Sequence, residues 1–301
     1  MALTATVGMT AWLMSRSDNA QATESIAAEA PSATPPPPIH RVALSFICFL
    51  SGFAFLALEV LWTRMFLQVL ENSVYTFAAI LVIVLICLAI GAMLSSALAR
   101  LNLSPMHVLA TLAGLSGLAV AITPFVFMEV TDSLKILATR GSWSAYVMMI
   151  FKNGFLTLGL PALLAGMVFP YLMKAEQQYV RTVGASLGRL AAINTVGAIL
   201  GAMLCGFIFL GTLGMWGTFQ VLAVVYLIAA LVMPVGLKSA GVAVRSIGLV
   251  GLLLAFTFLN PTDLPLVSTD PDRAADEDVL EVWEGSDATV AVTRRRSNMS
   301  L

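Results

Sequence analysis

Seven long apolar runs follow one another between residues 42 and 259, with only short polar stretches between them. A helix needs about 20 apolar residues to cross the hydrocarbon core of a bilayer, which is about 30 Å thick. Because lipid offers the backbone no hydrogen-bond partners, runs of this kind cross it as helices. The sequence therefore predicts an all-α polytopic membrane helix bundle of about seven transmembrane helices. The predicted spans are residues 42–63, 73–98, 104–127, 146–173, 185–210, 215–236 and 242–259.

The low charge of the chain excludes a soluble enzyme over most of its length. Hydrophobic residues make up 59% of the sequence and charged residues 11%, against roughly 25% charged in an ordinary soluble domain. The mean hydropathy is +0.91. The net charge of −1 offers no basic surface for a nucleic acid. The partner that this composition requires is the lipid bilayer.

Charge distribution divides the chain into three regions. Residues 42–259 hold five acidic and ten basic residues, whereas residues 260–301 hold nine acidic and four basic residues. The change marks the end of the membrane domain near Leu259. Residues 1–41 are expected to form a flexible, proline-rich N-terminal segment, since this polar, alanine-rich composition buries too little apolar surface to fold.

The N-terminal segment leaves two interpretations open. Ala2–Met14 is apolar but too short to span a bilayer. A signal peptide with a weak cleavage site at Asn19–Ala22 is one interpretation, although no positive charge precedes the apolar run. A short helix is the other. The segment ends in four prolines, Pro35–Pro38, which favour an extended spacer.

Lysine and arginine near the ends of the predicted spans favour a cytoplasmic N-terminus. Seven spans would then place the C-terminus on the opposite side of the membrane. One helix more or fewer would place it on the cytoplasmic side. The localisation expected for such a chain is a multi-pass protein of the bacterial inner membrane. The cytoplasmic side would carry Arg41, Arg100, Lys174, Arg181, Arg189, Lys238 and Arg245, and the opposite side Arg64, Lys135, Arg140 and Lys152.

The fourth run is the least regular, because Lys152 and Asn153 interrupt it. It is interpreted either as one long tilted helix or as a short interfacial helix followed by a span. Pro161 and Pro170 inside it predict kinks or a break.

Glu59 is the acidic residue most clearly placed within a predicted span. If the first helix ends near Thr63, Glu59 reaches the interface; if it continues to Leu70, the carboxylate lies deep in the bilayer and needs a partner. Arg64 is the nearest candidate, and a partner on another helix stays open. The side chain is interpreted either as a proton or substrate site or as a structural interfacial pair beside Trp62.

The fifth run carries small residues at helical spacing. Gly184 and Gly188 are four apart, as are Gly197 and Gly201. Such spacing lets another helix backbone approach closely. Asn194 lies in the same run and requires an interhelical hydrogen bond. These residues predict tight helix packing, with a substrate-lining role as the alternative. The second run offers a matching surface of small residues, and Gly114 and Gly117 do so in the third.

The motifs of soluble catalytic sites are absent from the sequence. Cys48, Cys87 and Cys205 are far apart and imply neither a disulfide nor a metal site. His40 and His107 have no ligand partner at helical spacing. We therefore predict no catalytic residue, no cofactor and no metal. The three glycines Gly211, Gly214 and Gly217 are interpreted as a short interhelix turn rather than a phosphate-binding loop.

The C-terminal region predicts a linker followed by a short β-hairpin. Residues 260–278 are rich in proline and aspartate. Val279–Trp283 and Ala288–Thr293 are strand candidates, separated by the turn-like Glu284–Asp287. A hairpin alone is marginally stable in water, so it needs more sheet.

Five stretches of the chain resemble the bacterial membrane-fused spermidine synthase-like proteins. The first two are Gly52–Arg64 in the first predicted helix and Asn72–Phe77 after it. Leu160–Pro170 and Gly188–Gly201 follow. The stretch Trp283–Val292 is similar to the opening hairpin of the aminopropyltransferase domain in that family.

The resemblance implies an activity in a soluble half: transfer of an aminopropyl group from decarboxylated S-adenosylmethionine to putrescine. Residues 1–301 are expected to reach only the first hairpin of that soluble half. The family's catalytic positions therefore lie outside them, and we assign no catalytic residue from the resemblance. The function expected is therefore a membrane anchor and scaffold domain of such a protein. The alternatives are a transporter-like bundle for a polyamine or small cation, and an accessory subunit of a larger membrane complex, with homo-oligomers left open.

Overall fold

A computed structural model describes residues 38–70, 74–101, 103–135, 142–177, 183–236, 239–257, 264–267, 277–285 and 289–295. Nearly all of this is helix, with one antiparallel two-stranded sheet at the end. The elements are α1 (Pro38–Phe66), α2 (Val74–Leu98), α3 (Pro105–Val130), α4 (Trp143–Gln177), α5 (Val183–Leu204), a π-helical turn (Cys205–Phe209), α6 (Leu210–Val232), α7 (Ser239–Thr257), β1 (Glu277–Glu284) and β2 (Thr289–Arg295).

Five helical stretches of the described chain are long and apolar enough to cross a membrane. One of them runs from Gly184 to Val232 and contains a break at Gly214, whose φ of 69° and ψ of 176° are not helical. The apolar part of α7, Gly241–Thr257, is shorter than the other five. The polytopic helical architecture therefore agrees with the sequence, and the count of seven spans stays a prediction.

All seven helices differ by a few residues from their predicted bounds, and two of them are informative. α1 begins at Pro38, four residues before the predicted span, because proline fits the first helical position. α4 is one uninterrupted helix of 35 residues, so the interfacial alternative is wrong. Lys152 lies on its exposed side and Asn153 on its buried side, which leaves the helical backbone intact.

The helices α1 and α5, and likewise α2 and α4, pack as parallel pairs, because residue numbers rise together across each contact: Phe49 lies on Gly197 and Phe53 on Gly201, and Ile83 lies on Gly154 and Leu88 on Gly166. α1 packs on α5, α2 on α4, and α3 on α4, α6 and α7. The most apolar window of α3 is 72% buried, against 28% for α2, which makes α3 the core helix and α2 a peripheral one. Phe66 and Phe127 meet edge to face in the core, with ring centroids 5.1 Å apart.

Polar contacts mark the two ends of the bundle. At one end, the Lys174 ammonium donates to the Ala99 carbonyl, and Arg189 donates to the Ser45 hydroxyl. At the other end, which we call the hairpin end, β1 and β2 lie against α1 and α6.

The predicted C-terminal hairpin is confirmed. β1 and β2 pair antiparallel, with a bulge at Leu280 between the Val279–Thr293 and Glu281–Val292 pairs. The N-terminal segment before Pro38, with its apolar stretch, and most of the predicted linker lie outside the described residues.

Candidate functional site

The α1–α5 contact is built on three glycines. A Cβ on Gly197 or Gly201 would overlap the carbonyl oxygen of Phe49 or Phe53 on α1, and one on Gly52 would overlap the Asn194 carbonyl. Each helix therefore approaches the other closely enough that only hydrogen fits at these Cα atoms. The same positions bring Asn194 against α1.

Two thiols add hydrogen bonds to the same interface. Cys48 Sγ donates to the Leu190 carbonyl at 3.0 Å, and Cys205 Sγ donates to the Ala57 carbonyl at 3.2 Å. Both cysteines are buried and free. Both thiols therefore serve as contacts to the backbone of a neighbouring helix.

The other small residues pair differently from the sequence expectation. A Cβ added to Gly184 or Gly188 would have no neighbour within 4 Å, so these glycines form no groove with a described residue. The small-residue surface of α2 meets α4 instead of α5, with Gly91 against Leu163 and Gly166. A pattern of small residues identifies a packing face but does not specify its partner.

A cavity of about 310 Å³ separates the α1–α5 pair from the α2–α4 pair. Asn194 lines it, and its Oδ1 atom is buried without a hydrogen-bond partner among the described residues. Ser51, which is 8% exposed, lies on the α1 wall. The remaining lining residues are Gly52, Phe55, Leu56, Leu88, Ala92, Ala165, Gly166, Phe169 and Pro170.

Pro170 removes a hydrogen bond beside this cavity. A proline within a helix has no N–H to donate to the carbonyl four residues earlier. In α4 that carbonyl belongs to Gly166, and both residues line the cavity. The wall at this position therefore contains a backbone acceptor that lacks its helical donor.

Glu59 lies on the face of α1 that forms the cavity wall. Residues 52, 55, 56 and 59 follow the i, i+3, i+4, i+7 spacing of one helix face. α1 continues seven residues beyond Glu59, about 10 Å along the axis. The carboxylate therefore lies within the helical span rather than at its end. No described side chain forms an ion pair with it.

Arg64 does not pair with Glu59, so the expected partnership is wrong in the described structure. The guanidinium instead donates to the Gly285 carbonyl and to the Thr289 hydroxyl, each at 3.3 Å. Five residues of helix separate Glu59 from Arg64 by about 500° of rotation, which points the two side chains away from each other. Arg64 consequently binds the hairpin.

The second contact to the hairpin forms at the break in α6. Gly214 adopts a positive φ, so the N–H of Met215 has no helical acceptor behind it. The Glu284 carboxylate accepts that N–H. Burial raises the pKa of Glu284, while the Met215 N–H and Arg64 lower it to a smaller extent. Trp216 Nε1 also donates to the Pro265 carbonyl at 3.3 Å.

A buried cluster at the opposite end is a feature that sequence reasoning missed. Glu176 is 3% exposed and accepts from Ser186 at 2.7 Å and from Arg189 at 3.0 Å. Arg189 extends the cluster to Ser45 on α1. The only sequence signal is an acid and a base flanking the short 178–182 connection, a pattern too common to single out.

Within the described ranges, no group of three or more His, Cys, Asp or Glu side chains is placed to hold a metal ion. A comparison with known proteins finds no matching family model, no matching curated protein and no matching solved structure.

Proposed function

We propose that this chain is a membrane anchor and scaffold that holds a C-terminal domain against one end of its helix bundle. The observation that carries the proposal is the docked hairpin. Arg64 near the end of α1 donates to Gly285 and to Thr289, one on each side of the hairpin turn, and the Met215 N–H at the break in α6 donates to Glu284 beside Gly285. A two-stranded hairpin is marginal alone, and these contacts give it a fixed position on the bundle.

A matched pair of variants tests the docking. Glu284→Ala removes the acceptor of the Met215 N–H, while Glu281→Ala removes an exposed acid three residues earlier on the same strand. We expect trypsin to cleave after Arg294 several-fold faster in Glu284→Ala, since a lost hydrogen bond to a charged group favours local opening. Equal cleavage rates in the two variants and the parent would contradict the scaffold proposal.

We further propose that the held domain is of the aminopropyltransferase type. The support is the resemblance at Gly52–Arg64, Asn72–Phe77, Leu160–Pro170, Gly188–Gly201 and Trp283–Val292. The anchor residues themselves are then not catalytic. Purified residues 1–301 are expected to release no methylthioadenosine from decarboxylated S-adenosylmethionine and putrescine. Steady turnover by this polypeptide would refute the anchor assignment.

We propose seven passes through a bacterial inner membrane, with the N-terminus in the cytoplasm and the hairpin on the opposite side. The break at Gly214 supports counting two passes within Gly184–Val232. Single cysteines at the exposed Ser104 and Ser142, each in a background with the native cysteines replaced, test the orientation. An impermeant maleimide should label Ser142→Cys in intact cells and Ser104→Cys only after permeabilisation. The reverse labelling pattern would overturn the proposed orientation.

The second candidate is a transporter-like bundle for a polyamine or another small cation. Its support is Glu59, a carboxylate within the span that no described residue neutralises, because acids at such depth mark ion or substrate pathways. It ranks second because the residues that line the described cavity include no acid. The test is uptake into proteoliposomes, and uptake unchanged by Glu59→Gln would count against it.

A further inference from the structure

We propose that the apolar groove between α3, α4 and α7 binds one anionic phospholipid, with an acyl chain lying along α3 and the phosphate at Lys174. The groove has a volume of about 670 Å³. This inference goes beyond the anchor function. It requires that the bundle lies in a membrane, but it does not require a docked hairpin.

The groove has the depth of one membrane leaflet. Its α3 wall consists of residues 104, 107, 108, 111, 112 and 115, which share one helix face. Eleven residues of helix extend about 16 Å, which is about half of the hydrocarbon core of about 30 Å. Ser104 immediately precedes α3, at the end of the bundle opposite the hairpin. The groove therefore runs from that end toward the middle of the bundle, as the acyl chain of a lipid in that leaflet does.

The groove is open at the lipid-facing surface of the bundle and apolar along its length. Leu103 and Leu115 line it and are 49% and 39% exposed, and Ala243 is exposed on the α7 wall. The hydroxyl of Thr111, which also lines the groove, already donates to the His107 carbonyl within α3. Water finds too few polar partners on such a surface to occupy it in an ordered way. Hydrocarbon is therefore the occupant that the lining favours.

The mouth of the groove is basic, which selects the lipid head group. Lys174 follows the groove residue Met167 by seven positions, so it lies on the same face of α4 and about 10 Å nearer the bundle end. Its ammonium donates to the Ala99 carbonyl, next to the groove residue Leu98. An ammonium has three donors, and no described acid forms an ion pair with this one.

The surrounding sequence adds to this positive charge. Residues 98–107, at the same end of the bundle, contain one arginine and no acid. Basic pockets between transmembrane helices bind the phosphates of anionic head groups. A lipid with a net negative head group should consequently bind more tightly than a zwitterionic lipid with the same acyl chains.

Native mass spectrometry of the full chain in detergent tests the head group. The protein is titrated with palmitoyl-oleoyl phosphatidylglycerol or with phosphatidylcholine of the same chains. We expect one retained phosphatidylglycerol, bound about fivefold more tightly than phosphatidylcholine. Lys174→Gln should abolish this preference, because the amide can still donate to the Ala99 carbonyl but carries no charge. Lys152→Gln, which alters an exposed lysine about 33 Å away on α4, should retain it.

A second pair of variants tests the groove itself. Ala243→Phe places a ring in the groove and should weaken the binding of both lipids severalfold. Val242→Phe is the matched control, since Val242 is 50% exposed and does not line the groove. This pair keeps the proposal falsifiable if Lys174→Gln does not fold.

Four results would overturn the proposal. The first two are equal binding of the two lipids by the parent and an unchanged preference in Lys174→Gln. The third is undiminished binding in Ala243→Phe. The fourth is displacement of phosphatidylglycerol by an equal concentration of glycerol phosphate, which would show a site for free phosphate without an acyl chain. None of the four bears on hairpin docking, which trypsin cleavage after Arg294 measures separately.

Discussion

Gly201 is the residue at which the α1–α5 contact is least able to accept a side chain. An added methyl group would overlap the Phe53 carbonyl, so the helices must separate along their length. Gly188, on the same helix, has open space at the corresponding position. The two glycines therefore form a matched pair in which helix propensity is equal and packing differs.

The prediction is that Gly201→Ala destabilises the protein by about 1–3 kcal/mol, the usual cost of overpacking. Gly188→Ala should leave stability unchanged or raise it by up to about 1 kcal/mol, because alanine is the better helix former. Unfolding by sodium dodecyl sulfate in mixed micelles measures both. A stabilised Gly201→Ala would show that α1 and α5 do not touch at this level.

The raised pKa of Glu284 predicts how hairpin docking depends on pH. Burial raises this pKa in the docked state, so the Glu284 carboxyl holds its proton more tightly when the hairpin is docked than when it is released. Docking is then strongest below the ordinary glutamate pKa, weakens as pH rises through the raised pKa, and levels off above it. Hydrogen exchange of the β1 and β2 amides, corrected for intrinsic rates, should show greater protection at the acidic end of that range.

Glu284→Gln is the control for this pH dependence. The amide oxygen still accepts from the Met215 N–H but carries no titratable proton. Protection should become flat across the same pH range, whereas Glu281→Gln, which alters an exposed acid, should retain the parent profile. Protection that rises with pH in the parent would contradict the assignment.

At the scale of elements, the break within α6 depends on Gly214. Its φ of 69° and ψ of 176° lie in a region that is essentially restricted to glycine, and other residues cost about 1–3 kcal/mol there. A Cβ at this position would also lie 2.5 Å from Glu284 Oε2. Gly214→Ala should therefore lower stability by about that amount and release the hairpin, measured by thermal unfolding and by amide exchange.

Gly211→Ala is the matched control for the break, since Gly211 is helical and has no neighbour within 4 Å. It should be neutral or slightly stabilising. If both variants behave alike, the break does not depend on the glycine and the docking of Glu284 needs another explanation.

The helices and strands are largely predictable from the sequence. Which helices pack against each other is not. Apolar length predicted the helices, and β-branched residues predicted the hairpin, because both signals are local. The glycines Gly211, Gly214 and Gly217 were interpreted as a short interhelix turn, but Gly211 and Gly217 are helical and only Gly214 leaves helical geometry. Nothing local distinguishes it from Gly211 and Gly217, since all three lack a side chain.

The candidate site was predictable only in part. Asn194 and Glu59 stand out as polar residues in apolar runs. Their surroundings depend on which helix packs on which, and several small-residue faces in this chain are equivalent as patterns. The acceptor for the Met215 N–H is 69 residues away along the chain, at Glu284. Such contacts follow from tertiary packing and have no signature in spacing.

For the whole molecule, the exposed apolar faces of α2 and of the α5–α6 stretch decide what surrounds the bundle. Only 28% and 22% of their most apolar windows are buried, while α3 is 72% buried. Apolar surface on this scale is not stable in water. It is covered either by lipid, as the anchor proposal requires, or by partner helices, as an accessory subunit or an oligomer requires.

Lipid-phase photolabelling separates these two environments. A diazirine on a lipid acyl chain, activated in native membranes, should label Met93, which is 73% exposed on α2, and Phe207, which is 81% exposed on the π-helical turn. Met215 and Phe219, both 0% exposed, serve as internal controls of the same residue types. Labelled peptides are identified by mass spectrometry. If lipid faces these helices, the exposed residues should be labelled at least tenfold more than the buried ones, since labelling follows contact with the acyl chains. Protection of Met93 or Phe207 in native membranes, with labelling restored after the purified chain is placed in nanodiscs, would instead show that a partner covers that face.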